Sequence, residues 1–154
     1  MRLQNKSGLI ISILIPLAVG ALSSLLSGNT SLYSTINKPV LSPPSFIFPI
    51  VWTILYILMG ISAYIIYTSK DENAPKALKT YALQLFFNFG WSILFFGFSQ
   101  YLLAFLWLLV LIILIVIMIK QFYEISPIAA YLQIPYLLWC LFAAYLNFSI
   151  YMKN

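Results

Sequence analysis

Residues 102–118 read LLAFLWLLVLIILIVIM, a run with no charged residue and no polar group except the indole N–H of Trp107. Coiled as a helix, it covers about 26 Å, close to the ~30 Å hydrocarbon core of a bilayer. The rest of the chain matches it. Of 154 residues, 63% are hydrophobic, 18% aromatic and only 7% charged, and the mean hydropathy is +0.99. Soluble domains carry about 25% charged residues because their surface faces water. The surface of this chain must therefore face lipid, and the fold class expected is an all-α membrane protein, a five-transmembrane-helix bundle forming one domain over residues 1–154.

The other spans are placed by working outward from that run. Ser99-Gln100-Tyr101 is a short polar break that demands a tight turn, and before it a third span covers about 78–99. Residues 69–76 are polar and separate it from a second span at about 46–68. A first span covers about 8–27 and reads as a retained helix rather than a cleaved signal, since the remainder of the chain is equally apolar. The fourth span ends at Lys120-Gln121. Ser126-Pro127 then supplies an N-cap and a proline at the first helical position for a fifth span, 127–152. The first connection, residues 28–45, is long for a bundle and rich in proline.

Charge gives an orientation. Arg2, Lys6, Lys70, Lys76, Lys79 and Lys120 fall on one side of a five-span chain, and Lys38 and Lys153 on the other. Six against two predicts a cytoplasmic N-terminus and an external C-terminus. Bases spread between spans also argue against nucleic acid as a partner, which would need them clustered on a soluble face. The Lys-rich, Arg-poor set favours a bacterial cell (plasma) membrane.

Composition excludes much chemistry. There is no His, one Cys (Cys140) and three carboxylates (Asp71, Glu72, Glu124). A nucleophilic triad lacks its base, zinc lacks ligands, and haem lacks its usual proximal His. No metal site and no required cofactor are expected. The spans carry Ser23, Ser24, Gln84, Asn88, Ser92, Gln133 and Asn147 but no charge, which disfavours an ion-coupled pump. Polar groups at that depth face the bundle interior. Asn88, Trp91 and Ser92 share a helix face at i, i+3, i+4, and such a cluster can bond a ligand or a neighbouring helix. Trp91 and Trp139 sit near mid-span, away from the interfacial belts, where an indole wants an acceptor or a flat partner. Pro16, Pro49 and Pro135 can each kink a helix and open space.

Three blocks of residues resemble a known family. The first is Lys38-Pro39, Pro43-Pro44, Phe46, Phe48, Val51-Trp52-Thr53, Leu55-Tyr56 and Met59-Gly60. The second is Asn88, Trp91-Ser92 and Phe95-Phe96-Gly97. The third is Pro135-Tyr136-Leu137, Trp139, Phe142-Ala143 and Leu146-Asn147. In this order they resemble the TSPO/MBR proteins, the translocator and tryptophan-rich sensory protein family, and the chain is identified as a bacterial-type member. It departs from the family pattern at Leu32, Leu41 and Pro49-Ile50, where the family carries Trp, Trp and Gly-Pro.

The resemblance implies a homodimeric five-helix bundle whose first connection caps a pocket. It implies as ligands porphyrins such as protoporphyrin IX, isoquinoline carboxamides and benzodiazepines, and sterols in animal members. By motif it places Trp52 and Trp139 in the pocket as paired indoles, Asn88 and Trp91 as its wall, and Ala143 as a small residue making room, with Pro43 and Phe46 in the lid. Ser23 and Tyr33 are added from geometry. Leu146, Tyr151 and Lys153 fit a permissive sterol pattern that arises by chance in many membrane helices.

The leading expectation is a membrane receptor or sensor for porphyrins and drug-like apolar ligands, among membrane lipids. One alternative is light- and oxygen-dependent porphyrin breakdown, with porphyrin as substrate and Trp52 and Trp139 as its only catalytic candidates. The other is facilitated transfer of tetrapyrroles, lipids or sterols.

Overall fold

The computed structural model describes residues 6–27, 42–44 and 46–154. These form α1 (Lys6–Ser27), α2 (Ile47–Thr68), α3 (Ala74–Ser92) with a π-helical turn at Ile93–Gly97, α4 (Tyr101–Ile125), α5 (Pro127–Leu132) and α6 (Ile134–Lys153). The described residues contain no strand. Tyr33 and most of the first connection lie outside them.

By length and hydropathy, four segments can cross a membrane: Lys6–Ser27, Ile47–Thr68, Tyr101–Ile125, and α5 with α6 as Pro127–Lys153. By that measure α3 does not qualify, because Lys76, Lys79, Gln84 and Asn88 dilute its apolar content.

Several boundaries differ from the sequence reading. The third helix begins at Ala74 rather than Leu78, since Pro75 stands in the first turn, where its missing N–H costs nothing. The fourth runs on past Lys120 to Ile125, adding nearly two turns that carry Glu124. The fifth is broken at Gln133, with Pro135 in the first turn of α6. Ser126 does cap α5, its hydroxyl accepting from Ala129 N–H at 3.4 Å. Pro49 and Pro135 therefore do not kink helix interiors as the sequence suggests. Among the described residues, only Pro16 lies deep within a helix. The tight turn before α4 is made by Ser99 at φ 53°, a left-handed conformation that shortens the link.

The distribution of side chains is inverted relative to a soluble protein. Ile10, Leu14, Leu25, Ile113, Val116 and Leu138 are exposed, while Ser62, Gln84, Asn88, Gln133 and Asn147 are buried. Lipid solvates the apolar exterior, and polar groups find partners only inside.

Three inward stripes follow heptad-like spacing. On α4 they are Ala104, Leu108, Leu111, Ile115, Met118 and Phe122; on α3, Ala77, Tyr81, Gln84, Asn88 and Trp91; on α6, Tyr136, Cys140, Ala143, Asn147 and Ile150. α4 packs against α3 and α6, α5 bridges α4 and α2, and α1 lies chiefly along α2, touching α3. The α1–α2 contact is close. A Cβ at Gly60 would strike the α1 backbone at Ile13 and Ser12, and Ser12 Oγ donates to Gly60 O at 2.7 Å.

Candidate functional site

A cavity of about 440 Å³ opens between α1, α2 and α3. α1 contributes Leu17, Gly20, Ala21, Ser23 and Ser24. α2 contributes Phe48, Pro49, Trp52, Thr53 and Tyr56. Asn88, Trp91 and Ser92 of α3 and Phe96 of the π turn complete its described lining. Gly20 is required where it stands, because a Cβ there would run into the Tyr56 ring. The π turn breaks the 3.6-residue period, so Phe95 is buried and its neighbour Phe96 reaches the cavity as well.

Phe48 and Trp52 form a partition. Trp52 stacks on Tyr56 (centroids 5.5 Å, 25°) and meets Trp139 edge-on (6.5 Å, 89°), while Phe48 meets Trp139 at 5.9 Å. Behind the partition lies a crevice of only about 10 Å³, bounded by Trp139, Ala143, Leu146, Asn147 and the Trp91 side. That is room for about one water. Trp52 thus faces the cavity, whereas Trp139 and Ala143 line the crevice behind it.

The polar groups are mostly committed to the protein. Tyr56 Oη donates to Asn88 Oδ1 (2.7 Å), Asn88 Nδ2 donates to Tyr136 Oη (2.9 Å), and Tyr136 Oη donates to Gln84 Oε1 (2.6 Å). Trp91 Nε1 donates to Asn147 Oδ1 (2.9 Å), and Asn147 Nδ2 to Tyr101 O (2.8 Å). Of the two roles open to Asn88 and Trp91 in the sequence, these bonds supply the helix-bridging one. Ser23 Oγ donates to Phe89 O at 2.9 Å. The Ser27 proton goes to Ser23 O, so Ser92 is the donor in the 3.0 Å Ser27–Ser92 contact. Among the cavity-lining residues, the Trp52 indole N–H and the Ser24 hydroxyl have no hydrogen-bond partner among the described residues.

The remaining candidates fall elsewhere. Phe46 is exposed at the N-terminal edge of α2, and neither it nor Pro43 is in the described lining. Leu146 is buried, whereas Tyr151 is exposed and lies about 140° around α6 from it, so of the sterol-pattern residues Tyr151 does not share a face with Leu146. Tyr56, Tyr136, Gln84 and Phe48 belong to this arrangement as well, although the sequence reading does not name them as site candidates. A usable signal existed for two of them, since Tyr56 lies four residues after Trp52 and Tyr136 three before Trp139, on the same helix faces. No group of His, Cys, Asp and Glu among the described residues could hold a metal ion.

Fold and site together define a multi-pass helical membrane protein with an aromatic cavity that carries no charge on its described lining. The sequence profile of the TspO/MBR family matches residues 12–152, and the chain belongs to that family. It is 38% identical over 153 residues to a tryptophan-rich protein TspO of Archaeoglobus fulgidus, covering 98% of this chain and 99% of the relative. A tryptophan-rich sensory protein of Cereibacter sphaeroides is 34% identical, covering 79% and 76%. The translocator protein of Sus scrofa is 35% identical, covering 92% and 86%.

Proposed function

We propose that the chain is a five-span receptor that binds porphyrins, and apolar drug-like ligands of isoquinoline-carboxamide or benzodiazepine type, in the α1–α2–α3 cavity. The carrying observation is the lining itself: a volume of about 440 Å³ walled by Phe48, Trp52, Trp91 and Phe96. Ligand cavities commonly span about 300–1,000 Å³, with apolar walls and few polar groups. A flat aromatic ligand can stack on Trp52 and accept from its N–H. Family membership supports the reading, and two relatives carry the names sensory protein and translocator protein.

In this reading α3 is the third of the five spans. Its bonds to α6 run in one direction along both helices, Gln84 to Tyr136 and then Trp91 to Asn147, as expected if both cross the bilayer the same way. In this reading the whole chain is one domain, residues 28–45 form the lid, the N-terminus is cytoplasmic in a cell membrane, and two copies pair as a homodimer.

Titration with protoporphyrin IX, followed by the shift of its main absorbance band, tests the assignment. Trp52→Phe, which alters the cavity wall, weakens binding by about 3- to 10-fold. Trp139→Phe, behind the partition, has a smaller effect. Saturable binding indifferent to Trp52→Phe and to Asn88→Ala removes the ligand from this cavity.

One observation favours a second reading, porphyrin photobreakdown: the two indoles meet at 6.5 Å, in range for exchanging an electron with an excited neighbour. Bleaching under light no faster than with the Trp52→Phe, Trp139→Phe double variant rejects it.

A further inference from the structure

The chain of bonds from Tyr56 through Asn88 and Tyr136 to Gln84 has a direction. Each group gives its proton toward the N-terminal ends of α3 and α6, and the last donor, Gln84 Nε2, is buried with nothing to receive it. Tyr81 Oη and both amide atoms of Gln133 are in the same state. Two other buried polar atoms without partners, Ser42 Oγ and Gln121 Oε1, lie on other elements.

Position groups the first three residues. Tyr81 is one turn before Gln84 on the inward stripe of α3, and Gln133, the N-cap of α6, stands three residues before Tyr136. Because Gln84 and Tyr136 are bonded and the two helices run in the same direction, Tyr81 and Gln133 continue the ladder past its last protein–protein bond. Gln84 and Gln133 are 0% exposed and Tyr81 8%.

A bare amide inside a membrane bundle is costly, because neither lipid nor apolar side chains can satisfy it. These atoms offer donors (Gln84 Nε2, Gln133 Nε2), an acceptor (Gln133 Oε1) and a hydroxyl that is both. None is charged, so an ion is not the matching guest. The match is a small neutral molecule that donates and accepts at once, with the two to four partners that a buried water takes.

We infer that Tyr81, Gln84 and Gln133 form an internal water-binding site. Its water receives the Gln84 proton and fixes the direction of the chain, with Tyr56 Oη donating at its head. The site uses groups outside the cavity lining, so it stands whether or not porphyrin is the ligand.

The test is transfer of magnetisation from water to side-chain amides in the intact ¹⁵N-labelled protein in deuterated detergent, paired with the thermal melting of Gln133→Leu. Water cross-peaks are expected at Gln84 and Gln133 and not at Asn147, whose amide bonds protein groups at both ends. Gln133→Leu is expected to melt lower than the parent, because it strips the water of the two Gln133 atoms and leaves Gln84 Nε2 less well satisfied. Glutamine amides as silent as Asn147, or a Gln133→Leu protein that melts higher than the parent, overturn the site.

Discussion

Adding one methyl group at Gly60 tests how α1 is held. In the native packing a Cβ at this position would lie 2.6 Å from Ser12 O and 2.9 Å from Ile13 N, and closer still to Ile13 Cα. All three are backbone atoms, so no rotamer change relieves the overlap. Ordinary contact begins near 3.4 Å, so Gly60→Ala must push α1 away by about 1 Å. A gap of that size forfeits a quarter to a half of each dispersion contact it opens. It also stretches the 2.7 Å Ser12–Gly60 hydrogen bond, a type of bond that averages about 0.6 kcal/mol in membrane bundles. Together with overpacking at roughly 1–3 kcal/mol, the expected loss is about 2–4 kcal/mol.

Gly97 provides the internal control. It faces the other end of α1, where a Cβ would meet Ser27 Cα and O at 3.4 Å, so Gly97→Ala should cost under about 0.5 kcal/mol. Thermal unfolding in dodecyl maltoside, followed by tryptophan fluorescence, reads both. Protoporphyrin titration of Gly60→Ala should show weaker binding as well, since α1 carries one wall of the cavity. Parental melting of Gly60→Ala, or an equal loss in Gly97→Ala, refutes this account of α1 packing.

Asn147→Leu strands the Trp91 N–H and removes the side-chain hydrogen bond to the Tyr101 carbonyl, and thermal unfolding should show a loss of about 1–3 kcal/mol. Pro49→Ala and Pro135→Ala should each stay within about 0.5 kcal/mol of the parent in the same assay, because both prolines stand in first turns where no intrahelical N–H bond is lost. Labelling of Asn73→Cys and Asn154→Cys with a membrane-impermeant maleimide tests α3: opposite sidedness is expected if α3 crosses the bilayer, and the same sidedness shows that it does not. Cys140 is buried and should add little background.

Much of the fold is legible in the sequence because lipid makes composition decisive. The run at 102–118 is apolar over nearly its whole length, and a helix is the structure that lets such a segment satisfy its own backbone in hydrocarbon. Ser126-Pro127 marks a true helix start for a local reason, a side-chain oxygen positioned to accept an orphan N–H. Lys120 misleads about the end of α4 because it looks like a terminus, although a lysine at a membrane surface can extend outward while its helix continues. Pro49 and Pro135 look like kinks because their position relative to the true helix starts depends on boundaries that hydropathy does not sharpen.

The sequence by itself determined an inside-out helical membrane protein, its family, and the aromatic residues from which a cavity would be built. Each comes from residue type or short-range spacing. Only the tertiary structure decided which side of the partition each residue occupies: Trp52 on the cavity, Trp139 and Ala143 behind it, and Asn88 and Trp91 holding helices together with their polar groups. That division depends on how α1, α3 and α6 are rotated against α2. The rotation is set by close contacts such as Gly20 with Tyr56 and Gly60 with Ile13, between residues far apart in the chain, and no local pattern encodes it.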